Sequence, residues 1–245
     1  MRYHWFFVSA LLAAATLPAS GQTPKPAAAA PLRHLLFSLK SATSYTSELR
    51  GVRDIADKYG PSALTTQVRD NAVGTVSCDV VSAHDTDLML DVKETLRGET
   101  TPISRLVLHS DGQITYLPDQ KPLPSEAAIL IPFLARGYIG ATPHSAGESW
   151  SVDDNFENYK ATTKFKVTAI RAPNDVAFEF DETFTIGGVQ GTTGYVRGHL
   201  SYDPTKLVLR DGNFDTLSRK QEGDHYQVVS DLIEFNLKED SFAKT

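Results

Sequence analysis

Apolar residues recur at every second position along much of this chain. Over 88–96, Leu88, Leu90 and Val92 interleave with Met89, Asp91 and Lys93, ahead of Thr95 and Leu96. Val176, Phe178 and Phe180 oppose Glu179 and Asp181, and Lys164–Thr168 alternates Lys-Phe-Lys-Val-Thr. His225–Leu237 repeats the theme with Tyr226, Val228, Ile233, Phe235 and Leu237, while Val76–Val81 is β-branched and mixed. Period two with a polar second face predicts an antiparallel sheet wetted on one side. Asp111-Gly112 and Asp211-Gly212 separate strand-like runs and predict tight turns, because glycine tolerates positive φ. Gly187–Gly191 predicts a hairpin loop between Thr183–Ile186 and Thr193–Leu200.

Ser125–Leu134, Ser-Glu-Ala-Ala-Ile-Leu-Ile-Pro-Phe-Leu, breaks this rhythm. Ser125 suits an N-cap and Glu126 a helix N-terminus, and Pro132 breaks the helix or starts a second turn. The segment is apolar nearly all round, so a helix here is buried; a buried strand is the competing reading. The expected fold class is therefore mainly β: a curved antiparallel sheet, half-barrel or sandwich, with a short apolar helix as cover. A weak internal echo runs through the chain. Leu88–Leu96 matches Val176–Phe184 in pattern, with Glu94-Thr95 and Glu182-Thr183 identical, and Cys78–Ser82 matches Phe165–Ala169. Either amphipathic strands resemble one another or two β halves, about 33–120 and 148–240, are related.

The first residues change the picture of where the chain works. Arg2 and His4 precede an apolar run, Trp5–Leu17, followed by the small residues Ala19, Ser20 and Gly21. That is the layout of a secretory signal peptide over 1–21, with a run too short to span a bilayer. No Cys follows the run, so the expected product is periplasmic or extracellular and not a lipoprotein. Thr23–Pro31 holds three prolines and no packing side chain, giving a flexible Pro/Ala leader over 22–31 ahead of a single β-rich domain, 32–245. Removing Met1–Gly21 leaves 224 residues, with 23 basic side chains against 30 acidic, because Arg2 is lost. A net charge near −7 with no basic stripe argues against nucleic acid and against anionic headgroups. No later apolar run is long enough for an integral membrane span.

Chemistry is sparse. Cys78 is the single cysteine, so stability rests on the core without an internal disulfide, and Cys78 reads as a small buried hydrophobe. His84-Asp85-Thr86-Asp87 holds metal-ligand types but lacks the glycine and distal glutamate of a calcium loop, and reads as a turn. Asp153–Glu157 reads as a solvated loop. His34, His109, His144, His199 and His225 never pair at helical spacing, so no zinc helix is present. Gly147-Glu148-Ser149-Trp150-Ser151 lacks the final glycine of a nucleophile elbow and reads as a turn that swings Trp150 into the core. No catalytic, metal or cofactor motif stands out.

Ile131-Pro132-Phe133-Leu134, Gly147-Glu148-Ser149-Trp150 and Gly198-His199-Leu200-Ser201-Tyr202-Asp203 together resemble uncharacterised exported β-rich proteins of bacteria. More distantly, the architecture is similar to the LolA and LppX type of periplasmic half-barrel. That resemblance implies a curved sheet wrapped around helices, with acyl chains in the gap. The leading expectation is a non-enzymatic exported envelope protein that binds or carries an apolar ligand such as lipid. Its ligand-binding residues would be Ile129, Leu130, Phe133 and Leu134 on the cover. The alternatives are an envelope structural or protein-interaction module with a closed core, its partner unknown, and an unrecognised hydrolase.

Overall fold

The computed structural model describes residues 31–49, 65–110, 112–135, 145–156, 158–172, 175–187, 191–223 and 225–242. The expected signal peptide and nearly all of the leader lie outside them, as does Asp111. Twelve strands run in chain order: β1 (Arg33–Leu49), β2 (Thr65–His84), β3 (Asp87–Leu96), β4 (Glu99–Thr100), β5 (Ser104–Leu108), β6 (Ile114–Tyr116), β7 (Ser149–Phe156), β8 (Tyr159–Ala172), β9 (Asp175–Ile186), β10 (Thr192–Asp203), β11 (Val208–Glu222) and β12 (His225–Phe242). Between β6 and β7 lies a one-and-a-half-turn helix, α1 (Ser125–Leu130), continued by a 3-10 turn over Ile131–Leu134.

All strands belong to one antiparallel sheet, ordered β6-β5-β3-β2-β1-β12-β11-β10-β9-β8-β7, with β4 paired to β3. The first and last strands meet in its middle, each β1 residue matched to β12 from Arg33↔Phe242 to Leu49↔His225. The sheet does not close on itself, and among the described residues β6 and β7 are its edges. The mainly β fold with a short apolar cover thus stands.

Register lines the apolar positions into rows across the inner face. One row is Trp150, Phe165, Phe180, Gly198, Phe214 and Ile233. Trp150 stacks on Phe165 at 5.2 Å, and Phe180 meets Phe214 at 5.7 Å. The cover packs onto this row through Phe133, 5.2 Å from the Phe180 ring and 5.6 Å from Phe214. Aromatic contacts at these distances add to the burial that dominates the core.

The hairpins β2–β3 and β8–β9 share their geometry. Cys78↔Val92 and Val80↔Leu90 correspond to Phe165↔Phe180 and Val167↔Phe178, and in each the register shifts at the next residue, between Val80 and Ser82 and between Val167 and Ala169. The echo in the sequence therefore coincides with equal pairing and an equally placed bulge.

Three local expectations are corrected. Asp211 and Gly212 lie inside β11; the turn falls four residues earlier, at 204–207. Asp203 makes that turn by accepting from the amides of Thr205 and Lys206 and from Arg210 at 2.8 Å. Burial would push its carboxyl up, but these donors hold it down at about 2. Asp153–Phe156 continues β7 rather than forming a loop, with Asp153 accepting from Thr162 across the pair at 2.7 Å. Pro124, not Ser125, occupies the N-cap and makes no side-chain capping bond.

Candidate functional site

α1 exists because Ala127 and Leu130 turn inward together, while Pro132 seeds the following 3-10 turn, its ring fixing φ where no amide is needed. Leu130 and Ile131 are fully buried, Phe133 and Leu134 nearly so, and Ile129 is partly buried against the same cluster. The four residues expected on the cover therefore stand together on the core face of one short segment. Cys78 is fully buried, and burial pushes its thiol well above the ordinary range. His84–Asp87 forms the two-residue β2–β3 turn, with Asp85 at φ 53°. Gly147, at φ 86°, turns the chain so that Trp150 reaches the core.

Beyond the aromatic row, the inner face changes character. The next row reads Val152, Thr163, Glu182, Val196, Thr216, Asp231, Thr43 and Asp70 across eight strands. It is a belt of carboxyls and hydroxyls set in low dielectric. Glu182 accepts from Tyr159 at 2.9 Å and Thr163 at 3.0 Å, and Asp231 accepts from Thr216 at 3.2 Å. Burial pushes both carboxyls up, against the pull of these hydroxyls. Arg97 pairs with Asp70 at the end of the belt. The row above it, Phe184, Gly194, Ser218, Val229, Tyr45 and Val68, is mixed, and Tyr45 and Val68 remain 42% and 57% exposed.

The cover meets β1 through Glu126, whose Oε1 accepts at 3.3 Å from Ser41, the residue paired with Ile233 of the aromatic row. Deeper, beneath the cover, Glu94 is 3% exposed. Burial and then the neighbouring charge of Glu126 push its carboxyl up to about 8, against the Ala127 amide, which donates to it. Its Oε2 has no hydrogen-bond partner among the described residues. Glu94 occupies in β3 the place of Glu182 in β9. Where Glu182 faces Thr163, however, Glu94 faces Val76, and Ala72 stands in β2 where β8 has Tyr159.

Sequence reasoning passed over these acids, although alternation marks them. Glu94 and Glu182 fall on the apolar phase of their strands, after Leu90 and Val92 and after Phe178 and Phe180. A carboxyl at a core phase is the informative exception.

Glu94, Asp231 and Glu182 all hold protons in the folded state more tightly than in the unfolded chain. Stability from such groups is fully present below the unfolded value, 4.5 for Glu94, and is lost as pH rises through about 8. Each proton contributes a slope of at most about 1.4 kcal/mol per pH unit. Denaturant titrations between pH 5 and 9 are expected to show stability falling with pH, and Glu94→Gln to flatten the curve. A wild-type profile that rises over this range contradicts the assignment.

No family model and no curated protein matches the chain. Two chains of solved structures do. One is lipovitellin, in a structure of its lipid–protein interactions, at 11% identity and a TM-score of 0.46 over 88% of this chain and 26% of that one. The chain spans about a quarter of the lipovitellin chain it matches.

Proposed function

We propose that the protein is a non-enzymatic exported envelope protein that takes up an apolar ligand, such as a lipid acyl chain, along the inner face of its open sheet. The observation that supports this reading is where the cover stops. Ile129, Leu130, Phe133 and Leu134 pack into the core cluster, Phe133 against the aromatic row, and Tyr45 and Val68 continue the same face two rows further with substantial exposure. The four cover residues would then form the closed wall of the site, with the polar belt beside it. Export rests on the basic, apolar and small-residue layout of 1–21.

Titration with a fluorescent fatty-acid analogue tests the reading. Each methylene removed from water adds about 0.8 kcal/mol, so affinity is expected to rise with chain length until the site is full. Absence of saturable binding at every length rejects the carrier.

A second reading, an interaction module without ligand, is favoured by the open ends of the sheet. β7 runs eight residues as an edge strand, and β6 is the other edge among the described residues. Edge strands offer free backbone groups to a partner strand. A native mass spectrum of protein purified from its own host separates the two: co-purifying lipid favours the carrier, and a bare or protein-bound mass favours the module.

A further inference from the structure

At its N-terminal end the cover meets the sheet through two acids. Glu94 lies buried beneath α1 and accepts from the Ala127 amide, while Glu126, one residue earlier, bonds Ser41 on β1. Asp231 on β12 and Tyr45 on β1 also feel the Glu126 charge, and Tyr45 feels in addition Asp70 on β2 and its partner Arg97. Pro124 at the N-cap makes no side-chain capping bond, and the Ala127 amide in the first turn donates to Glu94 on the sheet.

The related hairpin supplies the contrast. Glu182 keeps its place with two hydroxyl donors, so its burial is compensated on the sheet itself. Glu94 faces Val76 across its strand pair, and its Oε2 has no hydrogen-bond partner among the described residues. A buried acceptor without a partner is costly, and a buried charge beside a like charge more so. The sheet therefore tolerates Glu94 in its neutral form, and ionisation places two negative charges across the seam between cover and sheet.

We propose that Glu94 and Glu126 form a proton-dependent latch: with Glu94 neutral the N-terminal end of the cover lies down on the sheet, and with Glu94 ionised that end lifts and opens the trough. The apolar contacts of Phe133 and Leu134 hold the other end, so the movement pivots about the 3-10 turn. The latch concerns regulation of the ligand site proposed above and rests on that reading for its purpose; the movement itself does not.

Amide hydrogen exchange of the full exported chain tests it without any ligand. Protection of 125–131, corrected for intrinsic exchange, is expected to fall at least tenfold between pH 6.5 and 9, while central β1 and β12 amides hold theirs. Glu94→Gln and, independently, Glu126→Gln are expected to keep the cover protected at pH 9. Val76→Thr restores one hydroxyl of the Glu182 arrangement and should shrink the change. Protection that stays constant, falls equally in β1 and β12, or falls in both glutamine variants overturns the latch. Failure here leaves the carrier standing, and failure of the fatty-acid titration leaves the latch standing.

Discussion

Leu130→Asp is expected to remove at least about 4 kcal/mol of stability. Leu130 is fully buried between α1 and the sheet. Truncating a buried leucine alone costs about 2–5 kcal/mol. The aspartate adds a carboxyl to an apolar site, where burying a charge without a partner is costly. For a chain of this size a loss of 4 kcal/mol lowers the melting temperature by roughly 8–16 °C. Ile129, only partly buried, should lose less on the same change. Thermal melts of the two variants against wild type decide the matter. A Leu130→Asp protein that melts with the wild type would mean that the segment contributes nothing to the core.

The second large effect is expected at Gly198. It sits in β10 between Phe180 and Phe214, in the row on which the cover rests. A Cβ built there runs into the Asn213 carbonyl and the backbone of Phe214, so the strand must move rather than a side chain rotate. The absent side chain is also what lets the Phe180 and Phe214 rings meet and receive Phe133. Gly198→Ala is expected to cost about 2–3 kcal/mol, in the range for overpacking a tight interior. Gly191→Ala is the control. Its nearest non-neighbour atom is the Ile186 carbonyl at 3.8 Å, so a methyl group fits and the change should stay within about 1 kcal/mol. Equal melting temperatures for the two variants would contradict the close approach of β10 and β11.

Both effects depend on features that differ in how visible they were beforehand. Alternation over 88–96 and 176–184 placed β3 and β9 correctly, because a strand with one buried face writes its phase directly into its residues. The break in alternation at Ser125–Leu134 likewise marked the cover. Turn chemistry was less reliable. Asp211-Gly212 carries a turn signal, yet the chain turns at 204–207. There the buried Asp203 collects local donors and pairs with Arg210, an arrangement that needs the folded strands around it. Asp153–Phe156 is polar enough for a loop but pairs along β8 as an edge strand.

The acids show the same division. Their anomalous phase at Glu94 and Glu182 is written in the sequence, as is the echo that aligns them. What each carboxyl meets is not. Thr163 and Tyr159 reach Glu182 only through the β8–β9 register, and Glu126 comes to Glu94 from another element, across the seam between cover and sheet. By itself, then, the sequence determined the mainly β class, the inward phase of strands such as β3 and β9 and the existence of an apolar cover, because these follow from periodicity along the chain. The tertiary structure decided the strand order with β1 and β12 at its centre, the open edges, and the gathering of Glu94, Glu126 and Asp231 around one end of the cover. Those depend on pairing between residues far apart in the chain, which local pattern does not encode.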